Sequence, residues 1–375
     1  MKPLAGTLVL SLDQAVAAPL ASRKLADAGA RVIKLERPEG DFARYYDSLV
    51  HGECTHFAWL NRGKESVVAD LTKAQDKRLF EAILAKADVL IQNLKPGALA
   101  KLGYPMVRLR RCHPRLICCS ISGYGDEGPY RDRKAYDLLI QAESGLASVT
   151  GGPEAPARVG ASIVDICTGM TAYEAILEAL IGRGRTGQGA DIRVSMFDSM
   201  MEWMAVPMLY TEYGAPPRRM GLSHSSLAPY GVFQTADNVP ILISIQNDRE
   251  WVAFCTKVLG RPGLARDPRF ASNSARLANR EETDGLTQAC FSAHNVASLS
   301  RLLEAAEIAF ARVNDMDAIL RHPHLRRLAM DSPSGPIALP APPARWMGEA
   351  EPGFAALPAL GAHSEAVRRE FLASS

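Results

Sequence analysis

The stretch "GTLVLSLDQAVAAPLASRKLADAGARVIKLE", residues 6–36, decides the fold. Short apolar runs near its two ends read as strands over 6–12 and 30–36. Between them "APLASRKLADAG" (18–29) has helical spacing and stops at Gly29. A strand, a helix and a second strand at this spacing form a βα unit, which favours a parallel sheet.

The unit recurs along the first half of the chain. "SVVADL" (66–71) reads as a third strand, "KAQDKRLFEAILAKA" (73–87) as a helix and "DVLIQN" (88–93) as a strand. "GALAKLG" (97–103) is a short helix, and "PRLICCSISGYG" (114–125) is a strand that runs into a Gly loop. Residues 135–149 and 162–184 read as helices, and "QGADIRVSMF" (188–197) as a strand leading into a helical stretch at 198–212. Alternating elements of this kind define an α/β class with helices covering a mostly parallel sheet.

The Gly, Pro and Ser-rich segment "GAPPRRMGLSHSSLAPYG" (214–231) marks a change of domain. After it come a hairpin over 231–245, turning near Asp237-Asn238, and helices near 248–259, 281–294 and 297–306. The expected division is 1–213 for the first part of a large domain, 214–325 for a smaller α+β domain with its linkers, and 326–375 for a segment returning to the large domain.

The 375 residues carry 43 Lys and Arg against 41 Asp and Glu, a net charge of +2, so no bulk field draws the chain to nucleic acid or a membrane. No apolar run reaches the ~18 residues of a membrane span, and Ser11, Asp13 and Gln14 break the N-terminal stretch that resembles a signal peptide. The seven cysteines are scattered and form no CxxC pair, which points to a reducing cytoplasm and away from disulfides or zinc. Neither a dinucleotide G-x-G-x-x-G nor a P-loop is present, since Ala58 stands where the latter needs its first Gly. "CSISGYG" fails as a nucleophile elbow, because Ser120 and Tyr124 replace the glycines around Ser122. His322 and His324 have no third ligand in sight and read as a helix boundary, so no metal is expected.

One acid stands near the start of "VGASIVDICTGMTAYEAILEALI" (159–181), and that acid is Asp165. An Asp near a helix start is an ordinary cap or first-turn residue. A carboxylate among Ile163, Val164, Ile166 and Cys167 is also poorly hydrated, which suits a nucleophile.

"ASRKLADAGARVIKLERPEGDFAR" (21–44), "NRGKESVVADL" (61–71), "ADVLIQNLKPGALAKLG" (87–103), "CSISGYGDEGPYRDRKAYDLLIQAESGL" (119–146) and "ASIVDICTGM" (161–170) occur in this order. "APYGVFQTADN" (228–238), "DPRFASNSARLANR" (267–280) and "ARVNDMDAILRHPHL" (311–325) continue the series. Together they resemble the family III CoA-transferases, the group that includes formyl-CoA transferase and carnitine CoA-transferase, with 2-methylacyl-CoA racemases as a related branch.

The resemblance implies a Rossmann-like large domain built from both chain ends, a small inserted domain, and a homodimer of two interlocked chains. It implies coenzyme A esters and carboxylic acids as substrates, with no permanently bound cofactor. Asp165 matches the family nucleophile, which becomes a mixed anhydride and then an aspartyl-CoA thioester. Helix N-terminal amides are expected to favour its charged form against desolvation.

Arg37, Arg62, Lys64, Asn93, Lys95, Tyr136 and Asp137 fall in the matching segments as candidates for holding CoA, and Val16 and Ala17, in the first βα loop, are expected close to its thioester. Lys95 stands where many members carry Arg. The formyl-CoA branch has Gln at the position of Val16, which argues against a formyl or oxalate substrate. The racemase branch shows Gly-His-Asp where this chain has Ala135, Tyr136 and Asp137, so the resemblance favours transfer. Racemisation and a non-catalytic CoA-binding protein remain the alternatives.

The family's Gly-rich lid is replaced by "GLSHSSLAPYG" (221–231), where His224, Ser225 and Ser226 are candidates for contacting a substrate carboxylate. With Arg218 and Arg219 nearby, a short dicarboxylate such as succinate, malate, itaconate or mesaconate is the expected acceptor.

Overall fold

The computed structural model describes residues 2–350 and 353–373. The chain divides into two compact units. The first holds residues up to 146 together with 158–206 and 326 onward; the second holds 147–157 and 207–325. The sequence boundary at 213/214 thus stands beside an observed one at 206/207, and 147–157 groups with the second unit.

Six parallel strands form the sheet of the first unit: β1 (Leu8–Leu12), β2 (Arg31–Glu36), β3 (Lys64–Val68), β4 (Val89–Gln92), β5 (Ile117–Ser122) and β6 (Asp191–Ser195). Their order across the sheet is β3-β2-β1-β4-β5-β6. Alternation along each strand fills two cores. Leu10, Ile33 and Leu90 face Phe80, Ile83, Val367 and Phe371 on one side. On the other, Val9, Val32, Val89 and Ile117 face Ala18, Leu25, Ala172 and Ile176. Burial on both faces explains why these strands read as continuous apolar runs.

The C-terminal helix Ser364–Leu372 supplies Val367 and Phe371 to the first of these cores, and β10 (Arg327–Met330) pairs with β11 (Ile337–Pro340), once the strands β7–β9 of the second unit have intervened in the chain.

The expected strand 66–71 lies two to three residues earlier, at Lys64–Val68, and the expected 135–149 helix is two pieces, Asp137–Glu143 and Leu146–Val149. Gly145 divides them with a φ of +81°, a left-handed backbone that a continuous helix does not contain. Two short helices, Thr55–Asn61 and Met106–Cys112, had no clear periodic signal.

In the second unit, β7 (Tyr230–Gln234), β8 (Pro240–Ser244) and β9 (Ala309–Arg312) make an antiparallel sheet. Trp251, Phe254, Phe270, Phe291 and Leu299 fill its core. Asn238 takes the positive φ at the hairpin turn, as the sequence placed it. No helix among the described residues is long and apolar enough to cross a membrane.

Candidate active site

The order of the parallel strands reverses between β1 and β4, and crevices at such points accept ligands in open α/β sheets. The loops leaving these strands are zipped together. Gln14 N–H donates to Asn93 Oδ1 at 2.9 Å, and Asn93 Nδ2 donates back to the Gln14 carbonyl at 2.8 Å. Ala15 next to this pair has φ +63°, a strained value for a residue with a Cβ. Asp41 helps hold it, accepting the Ala15 N–H through Oδ1 while Oδ2 meets Lys34 Nζ at 2.8 Å. Lys34 is fully buried and bonds Asp13 as well, through both its carboxylate and its carbonyl. A buried ion network therefore fixes the loop from beneath.

Two adjoining cavities open over this crevice, with Gln14, Asn93, Leu94 and Lys95 as a common wall. The larger, about 720 Å³, carries Arg37, Lys95 and Lys101 around Leu12, Leu35 and Leu71. The second, about 490 Å³, contains Val16, Ala17, Tyr136, Asp137 and Asp165. Val16, at the start of the Ala17–Asp27 helix, offers no side-chain cap to the first-turn amides of Ala17 and Ala18, and Pro19 has no N–H.

Asp165 is the third residue of the Ile163–Thr186 helix. That helix lies against Ala17–Asp27 at Gly169, where an added Cβ would come within 2.6 Å of the Ala17 carbonyl oxygen. Small residues in "ICTGM" thus bring the helix carrying Asp165 close to the Val16 loop.

The expected amide support for Asp165 goes elsewhere. Asp137 Oδ1 accepts the Val164 N–H at 2.8 Å and the Asp165 N–H at 3.2 Å. The cap of this helix is therefore Asp137, 28 residues upstream, and Asp165 is free of that duty. Burial first, and the neighbouring Asp137 carboxylate second, push the Asp165 carboxyl up to about 7. No ion pair to Asp165 occurs among the described residues.

Asp137 is held in turn by Gln141, whose Nε2 donates to Asp137 Oδ2 at 2.7 Å and whose Oε1 accepts the Val159 N–H at 2.8 Å. Tyr136, 60% exposed, stands on the cavity wall.

Two residues expected to contact CoA have partners within the chain. Arg62 pairs with Asp27 at 2.7 Å and lies over the Phe354 ring. Lys64 is buried, bonded to Asp13, Asn61 and the Pro19 carbonyl, and burial lowers its ammonium to about 7. Neither lines the two cavities; both are spent on internal partners.

His224, Ser225 and Ser226 belong to the second unit. His224 stacks on Tyr230 and accepts the Ser226 N–H, and Arg219 donates to the carbonyls of Ser148, Gly152 and Pro153.

Sequence reasoning passed over Gln14, Tyr46, His56, Gln141 and Arg158. Partial burial, then Asp41 and Asp165, push the Tyr46 hydroxyl up to about 12, so it stays a donor on the cavity wall. Asp47, Cys54 and His56 bring potential metal ligands within 4.8 Å of one another. The Asp47 carboxylate is already engaged there, accepting Thr55 N–H and Oγ1–H at the start of the Thr55–Asn61 helix.

A half-buried carboxyl in a cleft that adjoins a cation-lined cavity at the sheet's reversal point suits acyl transfer from an anionic carrier. The chain belongs to CoA-transferase family III, which it matches over residues 4–364. It is similar to the acetyl-CoA:oxalate CoA-transferase of Acetobacter aceti, with 36% identity covering 99% of this chain and 96% of that one. It is 32% identical to the succinyl-CoA:glutarate CoA-transferase of Mus musculus, over 99% of this chain and 87% of that one. Among solved structures, a CAIB/BAIF family protein from Brucella suis superposes with a TM-score of 0.84 at 34% identity, covering 98% of this chain and 99% of that one. The protein is a CoA-transferase.

Proposed function

We propose that the protein moves CoA from an acyl-CoA donor to a short dicarboxylic acid, with Asp165 as the nucleophile. The observation that carries this reading is the Asp165 carboxyl, desolvated and without a cationic partner, in a cleft adjoining the Arg37 and Lys95 cavity. A carboxylate oxygen of Asp165 attacks the thioester carbonyl, the C–S bond breaks, and CoA thiolate leaves behind a mixed anhydride. The thiolate adds to the aspartyl carbonyl and expels the donor as its carboxylate. The acceptor carboxylate then attacks the aspartyl thioester, and the returning thiolate takes the new acyl group and frees Asp165. One thioester replaces another, so the overall exchange is near balance, and the uphill mixed anhydride needs a water-excluded site that protects it from hydrolysis.

Arg37, Lys95 and Lys101 suit the CoA phosphates. The first-turn amides beside Val16 and Ala17 suit a developing oxyanion. Dicarboxylate acceptors are supported by the relatives named for oxalate and glutarate; the former keeps oxalate among the acids to be tested despite Val16. Racemisation has weaker support, because Tyr136 replaces the expected His and Asp137 is spent on two amides and Gln141. A homodimer, which the resemblance implies, is supported by exposed Trp203, Val206, Leu209 and Tyr213 on the two consecutive helices Met196–Trp203 and Ala205–Tyr213.

The test incubates the protein with acetyl-CoA or succinyl-CoA and a panel of acids, follows new CoA esters, and traps the acyl-enzyme with hydroxylamine or borohydride. Label on the peptide containing residue 165 and loss of transfer in Asp165→Asn are expected. A folded Asp165→Asn protein with parental activity refutes the mechanism.

A further inference from the structure

Resting on the transfer reading, we propose that Arg158 is the residue that selects dicarboxylic acceptors, by holding the carboxylate that does not react. The cavity around Asp165 is lined by the cations Lys95, Arg131, Arg133, Lys134 and Arg158. Arg131 pairs with Asp132, and Arg133 pairs with Glu143 and stacks on Tyr130 at 3.5 Å. Lys95 is shared with the larger cavity, where the carrier's phosphates belong. Lys134 offers only a point charge. Arg158 is exposed, and among the described residues its guanidinium bonds the Gly160 carbonyl alone, Nη2 donating at 3.1 Å. Most of its donors remain available for the two-pronged grip that suits a carboxylate.

Its placement is fixed by the same bonds that fix the nucleophile. Gln141 accepts the N–H of Val159, the residue after Arg158, and donates to Asp137; Asp137 accepts the N–H of Asp165. One short chain of hydrogen bonds thus ties the backbone beside Arg158 to the start of the Asp165 helix. Arg158 nonetheless forms no ion pair with Asp165, whose charged neighbour is Asp137. A cation in the same cleft, tied to the nucleophile's frame but apart from its carboxylate, matches an acid with a second carboxylate beyond the reacting one. The role expected from sequence for His224, with Arg218 and Arg219, therefore passes to Arg158. Arg219 is already committed to three carbonyls.

The experiment measures kcat and KM for glutarate and for valerate, acids of equal carbon number, in the full chain with succinyl-CoA or acetyl-CoA as donor. Wild type, Arg158→Ala and Arg158→Lys are compared, with circular dichroism melts as the folding check. Arg158→Ala is expected to raise KM for glutarate roughly 10–100-fold, the loss of a charge-assisted contact, and to raise KM for valerate far less. Arg158→Lys is expected to recover part of the glutarate affinity. An equal fall for both acids, an unchanged glutarate-to-valerate ratio, or a wild type without preference overturns the assignment of Arg158 alone. A wild type that transfers CoA to neither acid from either donor overturns the transfer reading beneath it.

Discussion

Replacing Asp165, the proposed nucleophile, should make the protein more stable while it abolishes transfer. The Asp165 carboxyl has an ordinary value of 3.8 and rises to about 7 in the folded chain, through burial and then Asp137. Between these values the folded state holds a proton that the unfolded state has released, so stability falls as pH rises through that window. Below 3.8 both states are protonated and the penalty vanishes; above about 7 it is complete. Asn is isosteric and never ionises. Its advantage over Asp should therefore grow from pH 5 to pH 8 by about 3 kcal/mol at most, using about 1.36 kcal/mol per pH unit. Asp165 keeps some solvent exposure, and screening by water reduces this to roughly 1–2 kcal/mol. Urea denaturation of wild type and Asp165→Asn at the two pH values reads the difference directly. An Asp165→Asn protein whose advantage is the same at pH 5 and pH 8, or is absent at pH 8, refutes the claim that this carboxyl is desolvated.

Transfer by the wild type should fall tenfold per pH unit below about 7, and Asp137→Ala should move that limb to lower pH; kcat/KM against pH checks both, and an unmoved limb removes Asp137 as a cause. The same substitution strips the cap from two amides of the Ile163–Thr186 helix and should cost about 0.5–2 kcal/mol in a denaturant titration. Gly169→Ala places a methyl 2.6 Å from the Ala17 carbonyl oxygen and 2.9 Å from Leu20 Cβ, and should destabilise by about 1–3 kcal/mol, read as a lower thermal midpoint. Lys34→Met leaves Asp13 and Asp41 buried without their shared counterion and should cost roughly 3–5 kcal/mol in urea, whereas a change below about 1 kcal/mol would remove the network from the account of the loop. Arg37→Ala and Lys95→Ala should each raise KM for acetyl-CoA roughly tenfold or more but leave acetyl-pantetheine, which lacks the nucleotide phosphates, unaffected.

The strands β1, β4 and β5 were legible because each is a short, largely apolar run buried on both faces, and the βα spacing left few alternatives to a parallel sheet. Asp165 was legible as a dry acid at a helix start, because composition alone sets its apolar neighbours. Its cap was not. Asp137 lies 28 residues away, and only the packing of the Asp137–Glu143 helix against the Ile163–Thr186 helix brings its oxygens to those amides. Arg62 and Lys64 show the converse: a basic residue in a matching segment says nothing about its partner, and Arg62 pairs with the exposed Asp27 while Lys64 turns to the buried Asp13. Arg158 carried no signal, since one Arg in a Pro and Gly-rich loop is indistinguishable from a solvated charge until Gln141 fixes the backbone beside it. Periodicity and local composition act over neighbouring residues, so the sequence by itself determined the elements, the class and the apolar surroundings of Asp165. Hydrogen bonds and ion pairs between residues tens of positions apart depend on how those elements pack, so only the tertiary structure decided which groups surround that acid and what charge it feels.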